Sequence, residues 1–284
     1  MHYIDLHVHS TVSDGTLTPT QLVELAVKEN LSAFALTDHD TVRGVDEAIA
    51  AASSFRKQGS PIHVIPGVEI SAAYRGSDIH ILGLNVNHKN TVLCQTLDAA
   101  EKERVDRNRK MAQNLASAGL DITYEAIQQL DPEAVITRAH FAKYLVLKGY
   151  ASDNNDAFKK YLHDKSPYYV SRKYLSPEEV IQLILQADGI PILAHPLLYH
   201  LEESELKRLI LRLKEVGLKG LEAIYTCNSA NDEAFVKRLA RQNDLLISGG
   251  SDFHGANKPT VFLGKGKGNL KIPFSLLEQL GITL

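Results

Sequence analysis

The sequence predicts an α/β protein in which parallel strands are joined by crossover helices. Short apolar runs alternate with amphipathic segments along most of the chain, and clear helix-start signals lie between the runs. Seven runs have the length and residue types of strands, at residues 3–6, 33–36, 63–65, 79–84, 190–194, 221–224 and 245–248. This alternation fits either a barrel or an open doubly wound sheet.

Helices are predicted between the strands, and one long helical block interrupts the alternation. Thr18 followed by Pro19 is a helix start, since threonine caps the first turn and proline suits the first helical position. A second helix is predicted over residues 45–55, and another begins at Pro177. Residues 96–172 instead predict helix after helix, so we expect a helical insertion in an α/β domain formed by residues 1–95 and 173–284.

Composition indicates an ordinary globular protein and excludes some partners. The 284 residues are 44% hydrophobic with a formal net charge of -3, so we expect a large core and no general attraction to nucleic acid or anionic membranes. Cys94 and Cys227 match neither a disulfide framework nor a CxxC motif. Without a secretory signal or a long apolar run, we expect a cytoplasmic protein that binds neither membrane nor long duplex nucleic acid and has no obligate protein partner.

Side chains typical of metal ligands recur around the predicted strands. His7 and His9 are two residues apart in a strand, so both imidazoles emerge on the same face. An isolated pair of this kind is more often a hydrogen-bonded core pair, but here further candidates follow other strands. The nine candidate ligands, placed at or beside strand ends, are His7, His9, Asp14, His39, Glu69, His80, His195, Asp252 and His254. Sites in α/β folds form at the carboxyl ends of strands, so we expect these side chains to meet.

Nine ligands exceed the roughly four to six that one ion takes, so we predict a cluster of two or three divalent ions. Imidazole and carboxylate ligands without thiolate favour manganese, zinc or iron without choosing among them, and manganese is the metal that we expect first. Glu69, central in chain order, is the candidate bridging carboxylate. Two ions about 3.5–4 Å apart assist phosphoryl displacement, so the predicted chemistry is hydrolysis of a phosphate ester. Asp5, Asp38 and Asp40 flank ligands and are expected to orient the imidazoles.

The combined motifs resemble those of the PHP family of metal-dependent phosphoesterases. The chain carries HxH followed by SDG, then TDHD, PGxE, a histidine in the next strand, AHP and SDFHG, and this set spans His7 to His254. The resemblance implies a distorted seven-stranded (β/α) barrel with a trinuclear site. It places His7, His9, Glu69 and Asp252 on one metal, Asp14, His39 and His254 on a second, and Glu69, His80 and His195 on a third.

One position departs from the family pattern. Many PHP members have a histidine where this chain has Asp14. This change and the helical insertion place the chain nearest a subgroup that resembles 3′,5′-nucleoside bisphosphate phosphatases and enzymes acting at the 5′ end of short RNA. Asp14 is therefore expected to hold the most weakly bound metal.

The predicted insertion contains arginines suited to phosphate. Arg104 and Arg107 lie one turn apart on a predicted helix, and Arg138 and His140 start another. A guanidinium matches phosphate oxygens in a bidentate fork. The charge pattern alone favours a solvated helix face for Arg104, Arg107 and Arg109, whereas Arg138 follows apolar residues and is expected to meet an anion. The family resemblance adds that both segments form a phosphate clamp.

We therefore predict a metal-dependent phosphatase acting on a small nucleotide, such as a nucleoside 3′,5′-bisphosphate or the 5′ end of a short oligonucleotide. The predicted catalytic residues are Asp14, Glu69 and Asp252, and the predicted substrate-binding residues are Arg104, Arg107, Arg138 and His140. Histidinol-phosphate phosphatase and a non-catalytic metal- or nucleotide-binding module are the alternatives. The arginines argue against the first alternative, and the complete ligand set argues against the second.

Overall fold

The computed structural model describes residues 3–75, 77–132, 134–163, 165–170 and 175–284. Within these residues, seven strands form one sheet whose spatial order is the chain order. They are β1 (Tyr3–Val8), β2 (Leu31–Leu36), β3 (His63–Tyr74), β4 (Ser77–Leu84), β5 (Ile190–Leu193), β6 (Gly220–Tyr225) and β7 (Leu246–Gly250). All seven predicted strands are therefore present.

Ten α-helices lie among the described residues. They are α1 (Pro19–Lys28), α2 (Val45–Lys57), α3 (Thr91–Ser117), α4 (Tyr124–Gln128), α5 (Arg138–Leu147), α6 (Asn154–Ala157), α7 (Pro177–Gln186), α8 (Glu203–Glu215), α9 (Ala230–Gln242) and α10 (Ser275–Gln279). A π-helical turn, Phe158–Leu162, follows α6 directly. The predicted start of α1 is confirmed, since the Thr18 side chain accepts a hydrogen bond from the backbone N–H of Gln21, and the Gln21 side-chain oxygen accepts one from the backbone N–H of Thr18.

The sheet curls until its first and last strands meet. The backbone N–H of Asp252 donates to the carbonyl of His7 at 2.9 Å, and Val8 forms a parallel bridge with Phe253. Inside the curl, apolar side chains from six strands share one cluster, among them Ile4, Ala33, Ile65, Leu82, Ile192 and Ile224. Side chains from so many strands can meet only in the interior of a nearly closed sheet. The predicted distorted barrel is therefore confirmed.

The prediction that the strands are parallel is wrong for β4. This strand runs antiparallel to both β3 and β5, whereas the other neighbouring pairs are parallel. Only two residues separate Tyr74 from Ser77. A connection that short can form only a hairpin, because a parallel crossover needs about a dozen residues or more.

The segment predicted as an insertion has a hydrophobic core of its own. Met111 and Leu115 of α3 pack there with Phe141 and Leu145 of α5, whereas Leu93 near the start of α3 packs with the barrel. Helix α3 therefore crosses the predicted boundary at residue 96 and joins the two cores. The second predicted boundary, at residues 172 and 173, lies outside the described residues, so the domain division stays a prediction.

Two further findings concern the cysteines and the helices. Cys94 and Cys227 are both free thiols, as predicted. None of the helices in the described ranges combines the length and apolar character needed to cross a lipid bilayer.

Gly250 tests how tightly β7 approaches β1. A Cβ at this position would lie 2.2 Å from the His7 Cβ and 2.6 Å from the His7 backbone nitrogen. We expect Gly250→Ala to lower the free energy of unfolding by about 3 kcal/mol, since overpacking against backbone forces the strands apart. The measurement is urea denaturation followed by circular dichroism.

Gly59→Ala is the control for that experiment. A Cβ there meets no neighbouring atom, so only the positive φ of 93° opposes the substitution. We expect a loss of about 1 kcal/mol. Equal losses in the two variants would contradict the close approach of β1 and β7.

Candidate metal centre

The nine candidate ligands predicted from the sequence come together at one end of the barrel. Each has a side-chain nitrogen or oxygen within 3.8 Å of another member of the set. His7 and His9 project from β1 and its end, and Asp252 and His254 follow β7. Three subsets place all their ligand atoms within 4.8 Å of one another: His9, Asp14, His39 and His254; His7, His9 and Glu69; and His39, Glu69 and His80.

Glu69 lies at the centre of this cluster, and its two oxygens face different histidines. Oε2 lies 3.1 Å from His7 Nε2, 3.2 Å from His9 Nε2 and 3.2 Å from His39 Nδ1. Oε1 lies 2.8 Å from His80 Nδ1 and 3.0 Å from His195 Nε2. A carboxylate whose oxygens face separate groups of imidazoles has the geometry of a bridging ligand.

Asp14 and Asp252 both lie against His254. Asp14 Oδ1 lies 3.2 Å from His254 Nε2, and Asp14 Oδ2 lies 3.8 Å from His39 Nε2. Asp252 Oδ1 lies 3.4 Å from His9 Nε2 and 3.3 Å from His254 Nδ1. His254 therefore stands between the two carboxylates.

The three carboxylates are held in their charged form. Burial alone would raise the pKa of Glu69 and Asp252, but the imidazoles around Glu69 and the Lys258 ammonium beside Asp252 outweigh burial and hold both well below the usual range. Burial likewise opposes charge on His9, yet Asp252 and Glu69 raise the pKa of this imidazole to about 9. Burial has the opposite result at His39 and His254, where it lowers the pKa of the imidazole.

The donor set fits divalent cations. Both ring nitrogens of His9 and the Nδ1 of His195 are buried and form no hydrogen bond of adequate geometry with the described residues. Such atoms are costly to bury unless something binds them. Imidazole nitrogens and carboxylate oxygens are ligands for zinc, manganese and iron. The cluster is therefore able to bind metal.

The expectation that every candidate ligand lies at or beside a strand end is wrong for two residues. Glu69 and His80 lie inside their strands rather than at or beside the ends. The reason is that β3 pairs with β2 only over residues 63–66 but continues to residue 74 as one arm of the hairpin with β4. Both side chains therefore still lie where the barrel opens.

The expected role of Asp5, Asp38 and Asp40 is also wrong. Asp38 accepts hydrogen bonds from Ser10 and Ser13 at 2.6–2.7 Å and so fastens the loop that carries Asp14. Asp5 accepts from the backbone and hydroxyl of Ser251 and fastens the loop that carries Asp252. Asp40 accepts from the backbone N–H of Ser71 and pairs with Arg104. These carboxylates position loops, and the sequence does not reveal which donors they meet.

Glu222 of β6 is a carboxylate outside the candidate ligand set that contacts a ligand imidazole. The sequence interpretation missed it. Its Oε1 lies 2.9 Å from His7 Nδ1, and its Oε2 accepts the backbone N–H of His195 at 2.8 Å. Tyr225 of the same strand donates to Asp252 Oδ2 at 2.7 Å, and Lys258 donates to that oxygen at 2.6 Å. A buried acid within the apolar strand LEAIY is a sequence signal for Glu222, whereas no local pattern indicates Tyr225 or Lys258.

A cavity of about 180 Å³ adjoins the cluster on the side of the insertion. Its lining residues are Asp14, His39, Ser71, Asp78, His80, Arg104, Arg107, Thr137, Arg138, Ala139 and Phe158. Arg104 and Arg107 are buried, so the solvated helix face favoured by the charge pattern is wrong for both. It is correct for Arg109, which is exposed and lies 3.6 Å from Glu125.

His140 differs from the other predicted substrate-binding residues because it does not line the cavity. It is buried at the third position of α5, where its Nδ1 accepts the backbone N–H of Thr137 at 3.0 Å. The Thr137 hydroxyl in turn lies 3.5 Å from Asp14 Oδ2. His140 therefore fixes the start of α5 instead of facing the cavity.

Glu222→Gln tests whether β6 supports the metal centre. The carboxylate accepts from two donors, whereas glutamine has one acceptor oxygen and would turn an NH₂ group toward the other donor. We expect the affinity for manganese to fall about ten- to a hundredfold. Metal titration by calorimetry measures this, with the exposed Glu215→Gln as control. Unchanged affinity in Glu222→Gln would contradict the assigned role.

Proteins of known name match most of the chain. The 5′-3′ exoribonuclease Rnm of Escherichia coli (strain K12) is 37% identical over 250 residues, which cover 88% of this chain and 84% of the relative. The 3′,5′-nucleoside bisphosphate phosphatase of Chromobacterium violaceum is 36% identical over 255 residues, 89% of this chain and 88% of the relative. A solved structure of an amidohydrolase from C. violaceum with bound sulfate and no metal matches with a TM-score of 0.84 and 34% identity, over 92% of this chain and 90% of that chain.

A family profile described as the PHP domain matches residues 5–220. The matched span contains the candidate ligands from His7 to His195 and ends before Asp252. The profile and the relatives confirm the family that the motifs indicated, and with it the predicted class of enzyme, a metal-dependent phosphoric ester hydrolase. The chain belongs to the PHP domain family.

Proposed function

We propose that the protein hydrolyses a phosphate monoester of a small nucleotide, either a nucleoside 3′,5′-bisphosphate or the 5′ end of a short oligonucleotide. The observation that carries the proposal is the cavity in which Arg104, Arg107 and Arg138 stand beside the ligand cluster. A phosphate at the cluster and a second anionic group at the guanidiniums would both find partners there. The names of the E. coli and C. violaceum relatives, an exoribonuclease and a nucleotide phosphatase, support the same substrate class.

The metal assignment is part of this proposal. We assign two or three divalent ions, manganese first and zinc or iron as alternatives. His7, His9, Glu69 and Asp252 would hold one ion, Asp14, His39 and His254 a second, and Glu69, His80 and His195 a third. When bound, the ions supply water activation and neutralise charge on the phosphate.

The protein's own residues set the geometry for this chemistry. Asp14, Glu69 and Asp252 are assigned as catalytic residues because their three negative charges would hold the cations that face the reacting phosphate. Burial on the barrel side leaves Asp14, His39 and His80 as the candidate ligands that line the cavity. Substrate would therefore enter from the insertion side, and the barrel excludes water from the other.

Arg138 is the best placed residue to hold a second phosphate. Its guanidinium lies 3.3 Å from Asp78 and 3.3 Å from the carbonyl of Leu162, and it packs 5.5 Å from the ring centroid of Tyr169. These contacts hold the planar group at the cavity wall in advance of binding. Arg104, paired with Asp40, and Arg107 line the wall near α3.

The alternatives receive less support. Histidinol phosphate carries a cationic amine, which three guanidiniums in one cavity disfavour. A non-catalytic binding module does not need nine mutually contacting ligands and an adjoining cavity. A cytoplasmic location and action without an obligate protein partner belong to the same proposal.

Glu69→Gln tests the bridging role. If one carboxylate binds several ions, removing its charge should lower the bound metal and the rate of hydrolysis together. We expect less than half of the native manganese content and at least a hundredfold loss of phosphate release, about 2.7 kcal/mol or more. Elemental analysis and a phosphate-release assay measure the two quantities, and the exposed Glu24→Gln is the control. Native metal content with full activity would show that Glu69 does not bridge.

Arg138→Ala separates a nucleotide enzyme from a general phosphatase. Charge-assisted hydrogen bonds contribute about 1.5–3 kcal/mol each, so kcat/KM on a nucleoside 3′,5′-bisphosphate should fall roughly ten- to a hundredfold, mainly through KM. Hydrolysis of p-nitrophenyl phosphate, which lacks a second phosphate, should change little. Arg109→Ala is the matched control, since this arginine is exposed. Equal losses of kcat/KM on both substrates would show that Arg138 does not bind the second phosphate.

A further inference from the structure

Lys258 places an ammonium group beside the ligand cluster. It follows the short helical turn Gly255–Asn257 after β7, and its Nζ donates to Asp252 Oδ2 at 2.6 Å. The other oxygen of Asp252 faces His9 and His254 at 3.4 and 3.3 Å. The ammonium is therefore separated from the candidate metal ligands by a single carboxylate.

Positioning of Asp252 does not by itself explain a cation at this point. The Tyr225 hydroxyl already donates to the same oxygen at 2.7 Å, and it does so without a charge. An ammonium close to divalent cations is repelled by them, and a further anion at the site would reduce that repulsion. A phosphate is the anion that this family of enzymes brings there.

The ammonium also has donors to offer. An ammonium carries three N–H groups, and Asp252 is its one ion-pair or hydrogen-bond acceptor among the described residues. The Lys258 side chain is 39% exposed, although the Asp252 side chain beside it is 7% exposed. The group therefore extends from a buried carboxylate toward solvent, outside the cavity that the arginines line.

We propose that Lys258 is a catalytic residue that donates a hydrogen bond to a non-bridging oxygen of the scissile phosphate. This inference rests on the proposed phosphoesterase function and adds a contact at the reacting group, distinct from the arginines that hold a second phosphate. Lys258 transfers no proton in this role. It neutralises charge that grows on the phosphoryl oxygens during displacement.

The test compares manganese-loaded native protein with Lys258→Met, Tyr225→Phe and Lys271→Met. Binding of inorganic phosphate is measured by calorimetry, metal content by elemental analysis, and kcat/KM on both p-nitrophenyl phosphate and a nucleoside 3′,5′-bisphosphate. In Lys258→Met we expect phosphate affinity and kcat/KM on both esters to fall roughly ten- to a hundredfold with native metal content. Tyr225→Phe removes a donor to the same Asp252 oxygen and should weaken phosphate binding much less. Lys271→Met, an exposed lysine, controls for overall charge.

Each contrary result identifies a different error. Loss of metal in Lys258→Met, or equal losses of phosphate affinity in Lys258→Met and Tyr225→Phe, would show that Lys258 acts only through Asp252. A loss confined to the bisphosphate, or no loss at all, would also overturn the proposal. If the native protein hydrolyses neither ester, the proposed function fails, while weaker phosphate binding in Lys258→Met would still support the contact.

Discussion

The architecture of the site depends on the burial of one carboxylate, Glu69, among five imidazoles. A buried charge without partners is very costly, so the structure must bring positive or polar groups to it. Those groups come from β1, the end of β2, β4 and the end of β5, and each must arrive in register for both oxygens to be satisfied. The imidazoles that stabilise the buried charge of Glu69 also surround both of its oxygens, which is the arrangement that a carboxylate shared by several cations needs.

Residues outside the candidate ligand set hold the ligands in place. Strand β6 contributes Glu222 and Tyr225, which fix His7, the backbone of His195 and Asp252. Asp5 and Asp38 fasten the two loops that bring Asp252 and Asp14 to the cluster. Metal sites generally need such outer contacts, because a ligand that can rotate loses affinity and geometry. The barrel therefore serves as a frame for the ligands, and the helical segment beside it brings three arginines to the adjoining cavity.

Sequence reasoning could find residues whose type and spacing are governed by local rules. The seven strands, the Thr18 cap and the nine candidate ligands follow from apolar periodicity, helix-start chemistry and motif spacing. The antiparallel direction of β4 was not predicted, because β3 was expected to end at residue 65. Only when β3 is known to extend to Tyr74 is the connection to β4 short enough to require a hairpin. The burial of Arg104 and Arg107 could not be predicted, because it depends on α3 passing between two cores. Tyr225 and Lys258 were missed because their contacts with Asp252 depend on how β6 and the loop after β7 fold, which no local pattern indicates.

The central claim is that the nine side chains hold two or three ions that share Glu69. Crystals grown with manganese and measured near its absorption edge test this directly, because anomalous scattering locates each ion without reference to activity. The account predicts two or three anomalous peaks inside the cluster, with Glu69 bound to at least two of them and the weakest peak beside Asp14. A single peak, or peaks that do not contact Glu69, would contradict it.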